Sequence, residues 1–196
     1  MMQVLCETLA LPPVDEAEAM RYARCGRGDG QMLSLLRSCA EEMGQGQARV
    51  CYACLPCIVK ENEVDFGLFS VTSGDLARNL RGCRRAVLFA ATLGMGLDRL
   101  SAKYQLLSPA RAVMLQALGA ERIESGCDAF CRLLQARGMQ VRPRFSPGYG
   151  DVALSVQRHF FSLLQCEKLL GLYLSDSLLM SPSKSVTAFV GVEGEP

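Results

Sequence analysis

Residues 108–138 read SPARAVMLQALGAERIESGCDAFCRLLQARG, and this stretch organises everything around it. Ser108 precedes Pro109, which suits a first helical position because its missing N–H has no partner there, and Gly138 supplies a stop. Between them Val113, Met114, Ala117, Ile123, Cys127, Phe130 and Leu134 recur at helical spacing, which predicts one long central helix. Working outward, a strand is expected near Met139 to Arg144, then a Pro and Gly loop, a helix from about Ser155 to Leu164, and a final strand around Ser185 to Val192. Upstream, the apolar run Arg85 to Thr92 has the length of a buried strand, and Ser73 starts a helix. Ala48 to Val59 and Val64 to Val71 are strand-like and are expected to pair as neighbours. Asp15 and Asp29 cap two short helices, the first ending near Gly26. Helices and strands alternate without a regular rhythm. The expected class is therefore α+β: a largely antiparallel twisted sheet with flanking helices, not a doubly wound fold.

At 196 residues and 49% hydrophobic, the chain is long enough for one sizeable core and short for two, so a single domain is expected. A net charge of +1 provides no field to attract a phosphate backbone, which argues against nucleic acid as a partner. The longest apolar run, Ala86 to Leu97, is shorter than the ~20 residues of a membrane span. The N-terminal residues lack the basic start of a secretory leader, so a cytoplasmic location is expected. There the ten cysteines are reduced thiols, mostly buried as small apolar residues.

Arg144-Phe-Ser-Pro-Gly-Tyr-Gly-Asp151 gathers a fixed cation, two glycines, an aromatic ring and a carboxylate within eight residues. A guanidinium grips a carboxylate through two parallel hydrogen bonds. Gly148 admits a ligand close to the main chain, and Tyr149 offers a face to a ring or a cation. A small zwitterion suits this mixture, although its composition alone also describes an ordinary Pro-Gly turn.

RFSPGYGDVALSVQRHFFSLL, followed by GLYLSDSLLMSPSKSVTAFVG, resembles the C-terminal part of the activation domain of vitamin B12-dependent methionine synthase and small stand-alone relatives of it. The likeness extends upstream through SGDLARNLRGCRRAVLFAATLGMGLDRL and ALGAERIESGCDAF, better over 73–192 than over 1–72. It implies a binding site for S-adenosylmethionine. Arg144 would hold the methionyl carboxylate, Ser146, Gly148 and Tyr149 would line the adenosyl and sulfonium end, Tyr149 would lie near the transferred methyl, and Glu124 would add an acidic contact. Where the synthase has an aromatic contact, this chain has Val190. The implied role is reactivation of an oxidised cobalamin. The cobalamin would be supplied by a corrinoid-binding methionine synthase or methyltransferase, with a flavodoxin-like or other one-electron donor. The Asp-x-His-x-x-Gly loop that ligates cobalt and the Gly-Cys-Cys zinc motif are both lacking, so the chain is expected to be one component of a methyltransferase system, not a complete synthase. A docking module that has kept the fold and lost the ligand is the alternative.

Other signals are weaker. Cys51-x-x-Cys54-x-x-Cys57 has iron-sulfur spacing, but it sits in a strand and lacks a Cys-Pro close, so no metal is expected. Cys127 and Cys131 read as helix packing. Thr92 to Leu97 reads as a strand-to-helix turn, since the dinucleotide fingerprint's third glycine is missing. His159, the sole histidine, is expected on a helix surface or half-buried, and Ser183, Lys184 and Ser185 are either ligand contacts or an exposed loop.

Overall fold

The computed structural model describes residues 2–26 and 28–194. In chain order it contains β1 (Leu5–Ala10), α1 (Glu16–Tyr22), α2 (Gly30–Met43), β2 (Gln47–Pro56), β3 (Ile58–Val59), β4 (Glu63–Asp65), β5 (Ser70–Thr72), α3 (Gly74–Asn79) and β6 (Arg85–Thr92). It continues with α4 (Gly96–Leu107), α5 (Pro109–Ala136), β7 (Gln140–Val141), α6 (Gln157–Leu163), α7 (Cys166–Leu170), β8 (Tyr173–Leu174), β9 (Met180–Ser181) and β10 (Ser185–Glu193). Five strands form the main sheet in the order β1-β2-β6-β10-β7, and each neighbouring pair is antiparallel. The expected α+β architecture with a long central helix is the one observed.

Successive side chains on a strand face opposite ways, and here both faces of the sheet are covered. On one, Val50, Tyr52, Val87, Phe89, Ala188 and Val190 meet Ile123, Cys127, Phe130 and Leu134 of α5. On the other, Cys51, Leu88, Ala90 and Phe189 pack with Phe66, Leu76, Phe160 and Leu164. Two-sided burial explains why β6 reads as a continuous apolar run. α5 approaches β2 closely at Gly126, where a Cβ would lie 2.8 Å from that of Ala48. Its N-terminal half belongs to a separate cluster, with Met114, Leu115 and Leu118 against Ala19, Leu36, Cys39 and Leu97. One helix thus serves two cores, which accounts for burial around most of its circumference.

The capping expectations hold. The Asp15 side chain accepts from the Glu18 N–H and Asp29 from the Met32 N–H, each at 3.0 Å. α1, however, stops at Tyr22, short of Gly26. The pairing expected of 48–59 with 64–71 needs correction. β2 pairs with β1 and β6, and only its extension β3 pairs with β4. Val64 to Val71 is not one strand but the β4–β5 hairpin, because Asp65 Oδ1 accepts the Gly67 N–H at 2.7 Å and the Phe66 N–H donates to the Phe69 carbonyl at 2.9 Å. No helix is long and apolar enough to cross a membrane among the described residues.

Candidate functional site

Glu124 and Asp128 lie one turn apart on α5, so their carboxylates project from one face. Arg144, entering from beyond β7, brings its guanidinium between them: one terminal nitrogen lies 2.9 Å from Glu124 Oε2 and 3.0 Å from Asp128 Oδ1. The other donates to the Glu124 carbonyl at 3.4 Å. The arginine side chain is 21% exposed, against 45% and 56% for the two carboxylates, so the cation sits beneath a more open acidic rim. Burial disfavours its charge, but Cys127, Asp128 and Glu124 around it more than offset that and raise its pKa.

The loop that carries Arg144 is held at both ends. Phe145 exchanges main-chain hydrogen bonds of 2.9 and 2.8 Å with Phe189 of β10, fixing the arginine at the sheet edge. Pro147 is buried, the Tyr149 N–H donates to the Ser146 carbonyl at 3.2 Å, the Gly148 N–H donates to the Val152 carbonyl at 2.9 Å, and the Val152 N–H donates to the Tyr149 carbonyl at 3.1 Å. Gly148 and Gly150 have φ of +89° and +53°, conformations that other residues rarely adopt. At Gly150 an added Cβ would also collide with the Asp75 carboxylate. Tyr149 is 72% exposed beside the turn, and Ser146 is half-buried.

Asp151 has a different job from the one its place in the motif suggests. Its carboxylate bonds the Ser73 hydroxyl and accepts the Gly74 and Asp75 N–H groups at 2.8 and 3.3 Å, while the Asp151 N–H returns to Asp75 Oδ2 at 3.2 Å. It ties the loop to the start of α3 and is not a free ligand contact. The Ser73 hydrogen bond, outweighing some desolvation, holds its carboxyl below the ordinary value. A lowered folded pKa contributes stability above the unfolded value of about 3.9, lost as pH falls toward the folded one. Asp151→Ala should therefore melt below wild type at pH 7, and the gap should narrow at pH 3. Thermal melts at both values test this; a gap independent of pH would refute the tether.

The structure thus brings Arg144 and Glu124 together, keeps Ser146, Gly148 and Tyr149 in the adjoining turn, and adds Asp128. Sequence reading missed Asp128, although its spacing of four from Glu124 signalled a shared face. Val190 is fully buried against α5, so it forms no wall of this site. His159 is exposed and stacks on Phe69, with ring centroids 4.4 Å apart. Cys51 and Cys57 face the core while Cys54 is exposed, because residues three apart on a strand point to opposite sides. Among the described residues no group of three or more His, Cys, Asp or Glu could hold a metal. Burial pushes the Cys57 thiol up to about 11. The Ser183 to Ser185 segment is structural in part. Ser183 bonds the Asp98 carboxylate, the Lys184 carbonyl accepts the Leu93 N–H at 3.0 Å, and Ser185 bonds Thr92 Oγ1 at 2.8 Å. An open groove of about 310 Å³ lies along α5 N-terminal to Glu124, lined by Tyr22, Ser101, Gln105, Val113 and Gln116.

No family model matches the chain, and no curated protein does. Among solved structures it is similar to the crystal structure of the MetH reactivation domain bound to AdoHcy (S-adenosylhomocysteine), with a TM-score of 0.69 and 14% identity. The alignment covers 100% of this chain and 80% of the other. Over its whole length, the chain has the fold of that reactivation domain.

Proposed function

We propose that this protein binds S-adenosylmethionine and acts as a reactivation factor for a corrinoid carried by a partner. The observation that carries the reading is the Arg144 guanidinium set between Glu124 and Asp128 on a loop fixed to the sheet edge. One cation and two carboxylates leave a local charge of −1, which complements a ligand with one carboxylate, one ammonium and one sulfonium. The fold of a reactivation domain solved with AdoHcy supports the same ligand class. When bound, the ligand supplies an activated methyl group on its sulfonium, passed to a reduced corrinoid cobalt after a one-electron donor has acted.

The chain's own residues orient and present the ligand; no strong acid or base is needed. Arg144 holds the carboxylate, Glu124 meets the ammonium, and Ser146 and the Gly148 main chain line the adenosyl group along the turn. Tyr149, exposed, faces the methyl and the incoming partner. The partner is a corrinoid-binding methionine synthase or methyltransferase in the cytoplasm, and the donor is flavodoxin-like or another one-electron carrier. The test is calorimetric titration with S-adenosylmethionine. Saturable one-to-one binding is expected, whereas absence of binding would leave a docking module without ligand as the better account.

A further inference from the structure

We infer that Asp128 makes the site selective for the sulfonium form of the ligand over the thioether left after methyl loss. This rests on the function proposed above and extends it to discrimination between substrate and product. Both carboxylates reach the same Arg144 nitrogen, at 2.9 and 3.0 Å, yet they are not equivalent. The Glu124 carboxylate accepts a hydrogen bond from Arg144 at 2.9 Å and is the less exposed of the two, 45% against 56%, so it is the more fixed member. Asp128 makes a single contact with Arg144 and is the more exposed, so it is the one free to turn toward a ligand.

Charge then decides what each carboxylate does. An amino-acid ligand brings a carboxylate, matched by Arg144, and an ammonium, matched by Glu124. With those paired, Asp128 is left as an unneutralised anion at the rim. A sulfonium three bonds from the α-carbon supplies the missing cation; a neutral thioether does not. Transfer of the methyl therefore removes the charge that Asp128 favours, and the product is held less tightly than the substrate. At a partly exposed site the attraction between two unit charges several ångströms apart corresponds to a roughly three- to tenfold difference in affinity.

The experiment is titration of wild type, Asp128→Asn and Asp128→Glu with S-adenosylmethionine and with S-adenosylhomocysteine, after circular dichroism has shown each variant folded. Wild type is expected to prefer the sulfonium ligand by that factor, and raised salt should narrow the preference. Asp128→Asn should weaken the sulfonium ligand, leave the thioether nearly unchanged and bring the ratio close to one, and Asp128→Glu should restore it. An equal loss for both ligands, or a wild-type ratio of one, overturns the assignment while leaving the proposed function standing. Wild type that binds neither ligand overturns the proposed function and this inference with it.

Discussion

Arg144→Ala is expected to weaken S-adenosylmethionine binding by about 100-fold, equivalent to ~3 kcal/mol. Two losses combine. The ligand carboxylate loses charge-assisted hydrogen bonds from a guanidinium that is only 21% exposed, where water substitutes poorly. In addition, Glu124 and Asp128 lose the cation between them and present two like charges one turn apart to an incoming carboxylate. Arg144→Lys should recover only part of the affinity, because an ammonium can replace the one nitrogen that meets both carboxylates but offers the ligand no planar fork. Calorimetry on the three proteins settles the matter; an unchanged dissociation constant in the alanine variant would remove Arg144 from the site. The two anchors of the loop, Phe145 on β10 and Asp151 on α3, lie on either side of the turn and are untouched by the substitution. The variant should therefore fold, and lost binding would report on the site.

What could be read from the sequence follows the physics of each signal. α5 was legible because apolar residues at helical spacing are bounded by Pro109 and Gly138, and β6 and β10 because two-sided burial leaves long apolar runs. β1 was not legible. As an edge strand it keeps all six of its residues exposed or half-buried, so LCETLA carries little periodicity. The break between β2 and β3 carries one local mark, Pro56, whose missing N–H suits the end of a strand, but a single proline does not say that the chain there leaves one sheet for another. Within the site, Arg144 stood out by residue type and setting, and Glu124 by resemblance. The tethering role of Asp151 was not legible, because its partners, Ser73, Gly74 and Asp75, lie more than seventy residues away. The burial of Val190 likewise depends on which face of β10 meets α5, which its own segment does not specify.

The largest stability effect should come from a pair that touches no ligand. Arg122→Ala is expected to cost about 3–5 kcal/mol in urea denaturation, the range for breaking a buried ion pair by removing one partner. Arg122 and Glu121 expose 4% and 2% of their side chains, and the arginine also donates to the carbonyls of Pro12 and Pro13, the latter at 3.1 Å. Without it, Glu121 keeps, among the described residues, the Ser125 hydroxyl at 2.7 Å and the Asp15 N–H at 3.3 Å, so a buried carboxylate loses its counter-charge. Replacing both residues, Glu121→Leu with Arg122→Met, should cost less than the single change, since no unpaired charge then remains. Equal costs would mean that Arg122 matters mainly through the proline carbonyls, which both variants lose. The consequence for the site is indirect but specific. The segment before α1 is pinned to α5 at Glu121 and Arg122, three and two residues N-terminal to Glu124, and at the end of α1 burial, with the Glu124 charge next, raises the pKa of the Tyr22 hydroxyl. Loosening that anchor in Arg122→Ala should weaken ligand binding several-fold, less than Arg144→Ala does while costing far more stability, which separates the residue that holds the ligand from the one that holds the helices beside it.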